Sequence, residues 1–222
     1  MVLLEAFQLK GTDIPICCSN LMSLLKRPLV LVHGLWNNEK IFRVLLTRMQ
    51  QPESLLFTPY LPHGSGRVNI RELARNLDDY INEQFASTDQ IDLLGFSMGG
   101  LVSRVWLQEL GGFRRTRRFF SIGSPHNGTL TAQPMPHFLF PGIAEMKVGS
   151  GFIKTLNKQS RKLQRVNCRS YYCPFDLMVL PGPCGVLPMG PSISVPVLYH
   201  KALVTNSMAV ELLVRDLLTD CI

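Results

Sequence analysis

The sequence contains no run of about 18 apolar residues, the length that would cross a membrane as a helix. Its N-terminus lacks the basic start of a secretory leader. The first basic residue, Lys10, lies behind an apolar stretch, and Asp13 interrupts the residues after Lys10. The expected location is therefore intracellular and cytoplasmic. No Cys-x-x-Cys pair occurs among Cys17, Cys18, Cys168, Cys173, Cys184 and Cys221. The sequence around Cys168 and Cys173 holds no histidine, so a tetrahedral metal site is hard to build and no metal is expected. Free structural thiols are the expectation, since a core of this size needs no staples. Internal repeats, linkers and nucleic-acid-binding motifs are also missing, which argues against a nucleic-acid partner.

Charge is scarce. Charged residues make up 18% of the 222 residues and hydrophobic ones 46%, a balance that excludes a disordered chain and fits one domain with a full core. The net charge of +7 is unevenly placed: residues 110–175 hold eleven Lys and Arg against one acid, Glu145.

Short apolar runs alternate with helical patterns, which predicts a parallel sheet with crossover helices. Strands are expected at Pro28–Val32, Ser54–Thr58, Ile91–Leu94, Arg118–Ile122, 166–172 and 193–198. Helices are expected over 38–50, 69–85, 98–110, 152–165 and 207–218, with Gly111-Gly112 stopping the third. The stretch 129–151, rich in Pro, Gly and Met, fits neither pattern. Strand and helix in this order predict an α/β doubly wound, mostly parallel sheet without a large cap domain.

One turn carries chemistry. Gly95-Phe96-Ser97-Met98-Gly99 follows a strand and opens a helix, which is the setting a nucleophile elbow requires. Gly95 and Gly99 remove the Cβ atoms that would clash in so sharp a turn. The alternative is an ordinary strand-to-helix turn with a Ser cap. A serine hydroxyl needs a base and an acid to orient the base, and in this arrangement they follow in the order Ser, acid, His. After Ser97 the histidines are His126, His137 and His200, and only His200 follows a late strand and precedes the C-terminal helix. The intervening acids are Glu109, Glu145 and Asp176. Glu109 belongs to the helix after the elbow and Glu145 to the irregular stretch, whereas Asp176 lies past a strand end, where ligands gather. A turn-capping role is the other reading of Asp176. The oxyanion hole needs two backbone N–H groups. Met98 supplies one, and Leu35 in the loop Val32-His33-Gly34-Leu35-Trp36 is the candidate for the other. Gly34 permits close backbone approach, and His33, which precedes the serine, reads as a structural hydrogen-bonding residue.

At these residues the sequence resembles the α/β-hydrolase superfamily, in particular its compact bacterial lipase and esterase branch, which is triacylglycerol-lipase-like. The likeness rests on Val-His-Gly-Leu at 32–35, Gly-Phe-Ser-Met-Gly-Gly-Leu-Val-Ser-Arg at 95–104, Gly-Ser-Pro-His-Asn-Gly-Thr at 123–129, Asp176 with Val179 and Pro181, and His200. It implies hydrolysis of acyl esters through an acyl-serine intermediate, without a cofactor. Carried over by position, it makes Ser97 the nucleophile, His200 the base, Asp176 the orienter, and Leu35 and Met98 the oxyanion donors. His126 then organises its loop. An acyltransferase or thioesterase using the same triad is the close alternative, and a non-catalytic binding protein on this fold is a third. Residues 1–26 have no counterpart in the family core, and only residues 129–165 are available to flank an acyl groove.

Two further features have double readings. Lys154, Lys158, Arg161, Lys162 and Arg165 share one face of the expected 152–165 helix, opposite Phe152, Leu156 and Leu163. They form either a solvated face or a peripheral contact with an anionic membrane surface, extended by Arg114, Arg115, Arg117 and Arg118. The apolar segment 134–141 is either a loop buried on the core or a wall for an acyl chain, with Phe138 and Phe140 as its large residues.

Overall fold

The computed structural model describes residues 24–219. Cys17, Cys18, Cys221, and the Lys10 and Asp13 on which the expected location rests, lie outside the described residues.

Six strands form one parallel sheet: β1 (Leu29–Val32), β2 (Leu56–Phe57), β3 (Ile91–Phe96), β4 (Thr116–Ile122), β5 (Asn167–Tyr172) and β6 (Ser192–Ser194). Their spatial order is β2-β1-β3-β4-β5-β6, and every pair is parallel. The helices are α1 (Arg43–Met49), α2 (Ile70–Gln84), α3 (Met98–Gln108), α4 (Pro141–Glu145), α5 (Gly151–Lys158), α6 (Ala202–Thr205) and α7 (Ser207–Leu218). This is the α/β-hydrolase type of doubly wound sheet expected from the sequence.

The alternation of side chains along β1 explains why both faces are covered. Val30 and Val32 enter an apolar cluster with Ile70, Leu73, Leu77 and Ile81 of α2 and with α3 and α5. Leu29 and Leu31 enter the opposite cluster, built with Leu45 and Met49 of α1 and with α6 and α7. After β1 the chain crosses to β2 on one side, then returns to place β3 on the other. The order in which strands are added therefore reverses between β1 and β3, and a crevice at their C-terminal ends follows from the topology.

Several boundaries differ from expectation. The region 152–165 is not one helix: α5 ends at Lys158 and a 3₁₀ segment covers Ser160–Arg165. The carbonyl of Leu156, which would continue the α-ladder, instead accepts from Gln108 Nε2 at 2.6 Å and from Arg104. The basic residues therefore do not form one regular stripe, and Lys162 donates to the carbonyl of Gln108. The strand expected over 193–198 shrinks to β6, because Pro196 has no N–H and Val197 turns back to bond the carbonyl of Val195. The stretch 129–151 is ordered by a 3₁₀ turn at Leu130–Ala132 and by α4.

Arg118 cannot extend a lipid-facing patch. It is 3% exposed and pairs with Asp92 across β3 and β4 at 2.6 Å, while it also donates to the carbonyls of Leu217 and Thr219. The guanidinium thus caps the C-terminus of α7 from inside the protein, where a cation meets the negative end of the helix. Cys168, Cys173 and Cys184 are free thiols, and burial pushes Cys168 up to about 12. Among the described residues no helix is long and apolar enough to cross a membrane.

Candidate active site

Ser97 joins β3 to α3 with φ 56 and ψ −129, a conformation few side chains adopt. The turn is held at both ends: its N–H bonds the carbonyl of Ile122 at 2.8 Å, and its carbonyl accepts from the N–H of Gly100 at 3.0 Å. A Cβ on Gly99 would run into the carbonyl oxygens of Val32 and His33, so only glycine lets α3 start this close to β1. A Cβ on Gly34 would lie 2.6 Å from that of Ser97, which places the β1 loop directly on Ser97.

The loop after β1 is braced from several sides. His33 accepts from the N–H of Leu61 at 3.0 Å through Nε2, so its proton sits on Nδ1 and is donated to the carbonyl of Gly34 at 3.1 Å. Burial lowers the His33 imidazole below its ordinary value, which keeps it neutral. Fixing the Gly34 carbonyl also fixes the N–H of Leu35, since both belong to one planar trans peptide and point in opposite directions. Asn37 holds the next carbonyl, that of Leu35, at 2.8 Å, and His63 lies 3.2 Å from the carbonyl of Asn37. Trp36 between them has φ 57. His33 thus bonds the backbone on both sides, at Gly34 and at Leu61. The clamps Leu61 and His63 were not foreseen, because they act from a neighbouring loop without a short-range motif, while Asn37 acts within the β1 loop itself.

His200 and Asp176 meet at 2.6 Å through Nδ1 and Oδ2. The other oxygen of Asp176 accepts from the N–H groups of Met178 and Val179 at 2.8 and 3.1 Å. The carboxylate thus caps its own turn with one oxygen while the other bonds the imidazole. With Nδ1 directed at Asp176, the other ring nitrogen of His200, Nε2, is buried and has no hydrogen-bond partner. Phe96 lies 4.9 Å from the ring and limits its position from the sheet side.

Ser97 and His200 open into one cavity of about 330 Å³, walled by Leu35, Ala132, Met135, Ile143, Met146 and Val179. Trp36 and Met178, both exposed, stand at its mouth. Residues 129–146 supply one side of the cavity wall, but Phe138 and Phe140 are not part of it. Phe138 is 83% exposed, and Phe140 packs on the core. A second, wider groove between α1 and α7 lies away from these groups.

The remaining candidates lie elsewhere. Glu109 pairs with Arg71 at 2.7 Å, and Glu145 accepts from the N–H of Ile70 at the start of α2. His137 is exposed outside the cavity wall. His126 is wholly buried, with Nε2 on the hydroxyl of Ser121 and its carbonyl on Arg104. Burial, and then the Arg104 charge, hold His126 well below its ordinary value. Arg104 itself is buried against Gln108, Asn157 and Leu156 without a carboxylate, and burial lowers it to about 10. Together these groups fasten the 123–129 loop to α3 and α5. Among the described residues no group of three or more His, Cys, Asp or Glu could hold a metal ion.

The palmitoyl protein thioesterase family model matches residues 28–172. That span includes Ser97 and the β1 loop but stops short of Asp176 and His200. In Drosophila melanogaster, a protein named Lysosomal thioesterase PPT2 homolog is 27% identical over 134 residues, which is 58% of this chain and 45% of the relative. The chain therefore spans less than half the length of that curated relative. Among solved structures, the mature lipase BlEst2 of Bacillus licheniformis superposes with a TM-score of 0.66 at 14% identity, covering 87% of this chain and 92% of its own. Lipase B of Aspergillus fumigatus gives a TM-score of 0.70 at 20% identity, over 88% of this chain and 53% of its own. At such identities these likenesses speak for the fold.

Proposed function

The chain belongs to the palmitoyl protein thioesterase family, and from that premise we propose that it is a serine hydrolase of acyl esters, with Ser97, His200 and Asp176 as its triad. The single observation that carries this reading is the Asp176–His200 hydrogen bond of 2.6 Å, which leaves Nε2 open beside the cavity that Ser97 lines. In the proposed mechanism Nε2 of His200 takes the Ser97 proton as Oγ attacks the acyl carbon. Asp176 stabilises the resulting imidazolium. The oxyanion is held by the N–H of Leu35 and by that of Met98, the first of α3 and without an acceptor inside its helix. His200 then returns the proton to the departing alcohol or thiol. Water, deprotonated by the same nitrogen, releases the acid from the acyl-serine.

The family match favours a thioester as a second substrate class on the same site. The chemistry permits both, since a thiolate leaves at least as readily as an alkoxide. The reading places all catalytic groups in one domain, with residues 129–146 walling the acyl site. It also keeps a peripheral contact with anionic lipid through the exposed Lys154, Lys158, Arg161 and Arg165, in reduced form, because the expected single stripe is broken at Lys158. Stopped-flow hydrolysis of p-nitrophenyl octanoate and of the matching thioester tests the proposal. A burst of product equal to the enzyme, lost in Ser97→Ala, is expected. Turnover unchanged by Ser97→Ala would overturn it.

A further inference from the structure

We propose that the rim of the cavity mouth is a docking face for a lipid surface, which it enters with apolar side chains and not through charge. Trp36, Phe175, Leu177, Leu198 and Tyr199 form the rim, with Met178 at its inner edge.

The loops that carry Asp176 and His200, together with the loop after β1, supply these residues. Phe175, Leu177 and Met178 surround Asp176 in sequence after β5, Leu198 and Tyr199 precede His200 after β6, and Trp36 follows β1. All three loops leave the C-terminal end of one parallel sheet, so they emerge on the same side of the molecule. The Asp176–His200 bond of 2.6 Å draws the two later loops together, and Cys173 Sγ on the carbonyl of Val197 ties them again at 3.0 Å. Trp36, Met178 and His200 then line one cavity.

Trp36, Phe175, Leu177, Leu198 and Tyr199 are 58% to 85% exposed. Single exposed apolar side chains are ordinary, whereas a group of them on one rim marks a contact surface. Residues 34–37 and 196–199 hold no charged residue, and the one in 173–181, Asp176, is buried. A rim that enters lipid needs this, because an exposed carboxylate there would be desolvated at high cost. Tryptophan and tyrosine beside leucine and phenylalanine also match the lipid–water boundary, where amphipathic rings sit at the level of the headgroups.

The place of the rim gives docking a use, and that use rests on the hydrolase reading of Ser97. Each methylene of an acyl chain that passes from lipid into water disfavours the transfer about fourfold. With the mouth set against the lipid, a chain enters the cavity between Leu35 and Ile143 without that exposure. This contact is separate from the one through Lys154, Lys158, Arg161 and Arg165, since it needs no charge on the lipid and is not screened by salt.

Sedimentation with phosphatidylcholine vesicles, which carry no net charge, tests the proposal without turnover. The wild type should pellet with them equally at low and high salt. Trp36 and Trp106 are the two tryptophans, and Trp106 is buried with its indole N–H on Asp78. A blue shift of emission on adding vesicles, with quenching by brominated lipid, therefore reports the entry of Trp36 into the layer. Leu177→Ser and Leu198→Ser should each weaken partitioning about tenfold, while kcat/KM on the water-soluble p-nitrophenyl acetate stays unchanged. Leu110→Ser, at an exposed position past the end of α3 remote from Ser97, should change neither. A wild type that remains in the supernatant, binding lost at high salt, or partitioning unmoved by both rim variants would overturn the proposal. So would a dimer that forms without vesicles and is broken by the same variants, since the rim would then meet a second copy of the chain. Vesicle binding with neither turnover nor fluorophosphonate labelling would remove the hydrolase reading alone and leave the docking face in place.

Discussion

The carboxylate of Asp176 reaches the imidazole of His200 across 2.6 Å, Oδ2 to Nδ1, although the two residues sit on separate loops 24 positions apart. The same carboxylate accepts two backbone N–H groups through Oδ1. These two jobs can be separated by substitution. Asp176→Asn keeps a carbonyl oxygen for the turn but replaces the anion that holds the Nδ1 proton. It should lower kcat about 10⁴-fold with KM little changed, while thermal unfolding shifts slightly. Asp176→Ala should add a loss of stability of about 1–3 kcal/mol from the abandoned N–H groups. Parallel kinetics and thermal melts distinguish the two.

The buried pair of Arg118 and Asp92 gives a prediction about folding rather than catalysis. Arg118→Met leaves Asp92, which is fully buried, without its partner and also uncaps α7. A loss of about 3–5 kcal/mol in denaturant unfolding is expected. Adding Asp92→Leu should restore part of it, because the second change removes the stranded charge. A double variant no more stable than Arg118→Met would show that the cap on α7 is the whole effect.

His126 and His33 set the sign of the acid response. Both are held neutral in the folded protein, with values below the ordinary one. An unfolded histidine is half protonated at about pH 6.5 and takes up its proton as the pH falls through that value. Below that point the unfolded chain binds more protons than the folded one, so stability falls as pH falls and is fully present above it. Thermal melts from pH 7.5 to 5 should show this decline. His126→Gln should be less stable at every pH but should show a shallower slope, since one of the two groups no longer titrates on unfolding.

The sheet and the elbow were legible in the sequence because both have local signatures. Leu29–Val32 is a buried strand by its run of aliphatics, and Gly95 to Gly99 flank Ser97 by steric necessity. His200 was singled out among three later histidines by its place between a late strand and the C-terminal helix. The break after Lys158 was not legible, because it depends on Gln108 and Arg104 taking a carbonyl some fifty residues away. Arg118 looked like one more surface cation for the same reason: its partner Asp92 becomes adjacent only when β3 pairs with β4. In the apolar 134–141 segment the larger residues drew attention, yet Met135, with Ile143 and Met146 beyond the segment, faces the cavity, while Phe138 points to solvent. Side-chain direction in an irregular loop is set by its tertiary braces, which no periodicity encodes.

The central claim is that Ser97 is a nucleophile activated by His200, and labelling with a fluorophosphonate probe tests it most directly. The wild type should gain one probe mass at pH 7.5, mapped to the Ser97 peptide. Ser97→Ala should gain none, and His200→Ala should react at least about a hundredfold more slowly. A wild type that stays unlabelled, or a label that persists in Ser97→Ala, would contradict the account.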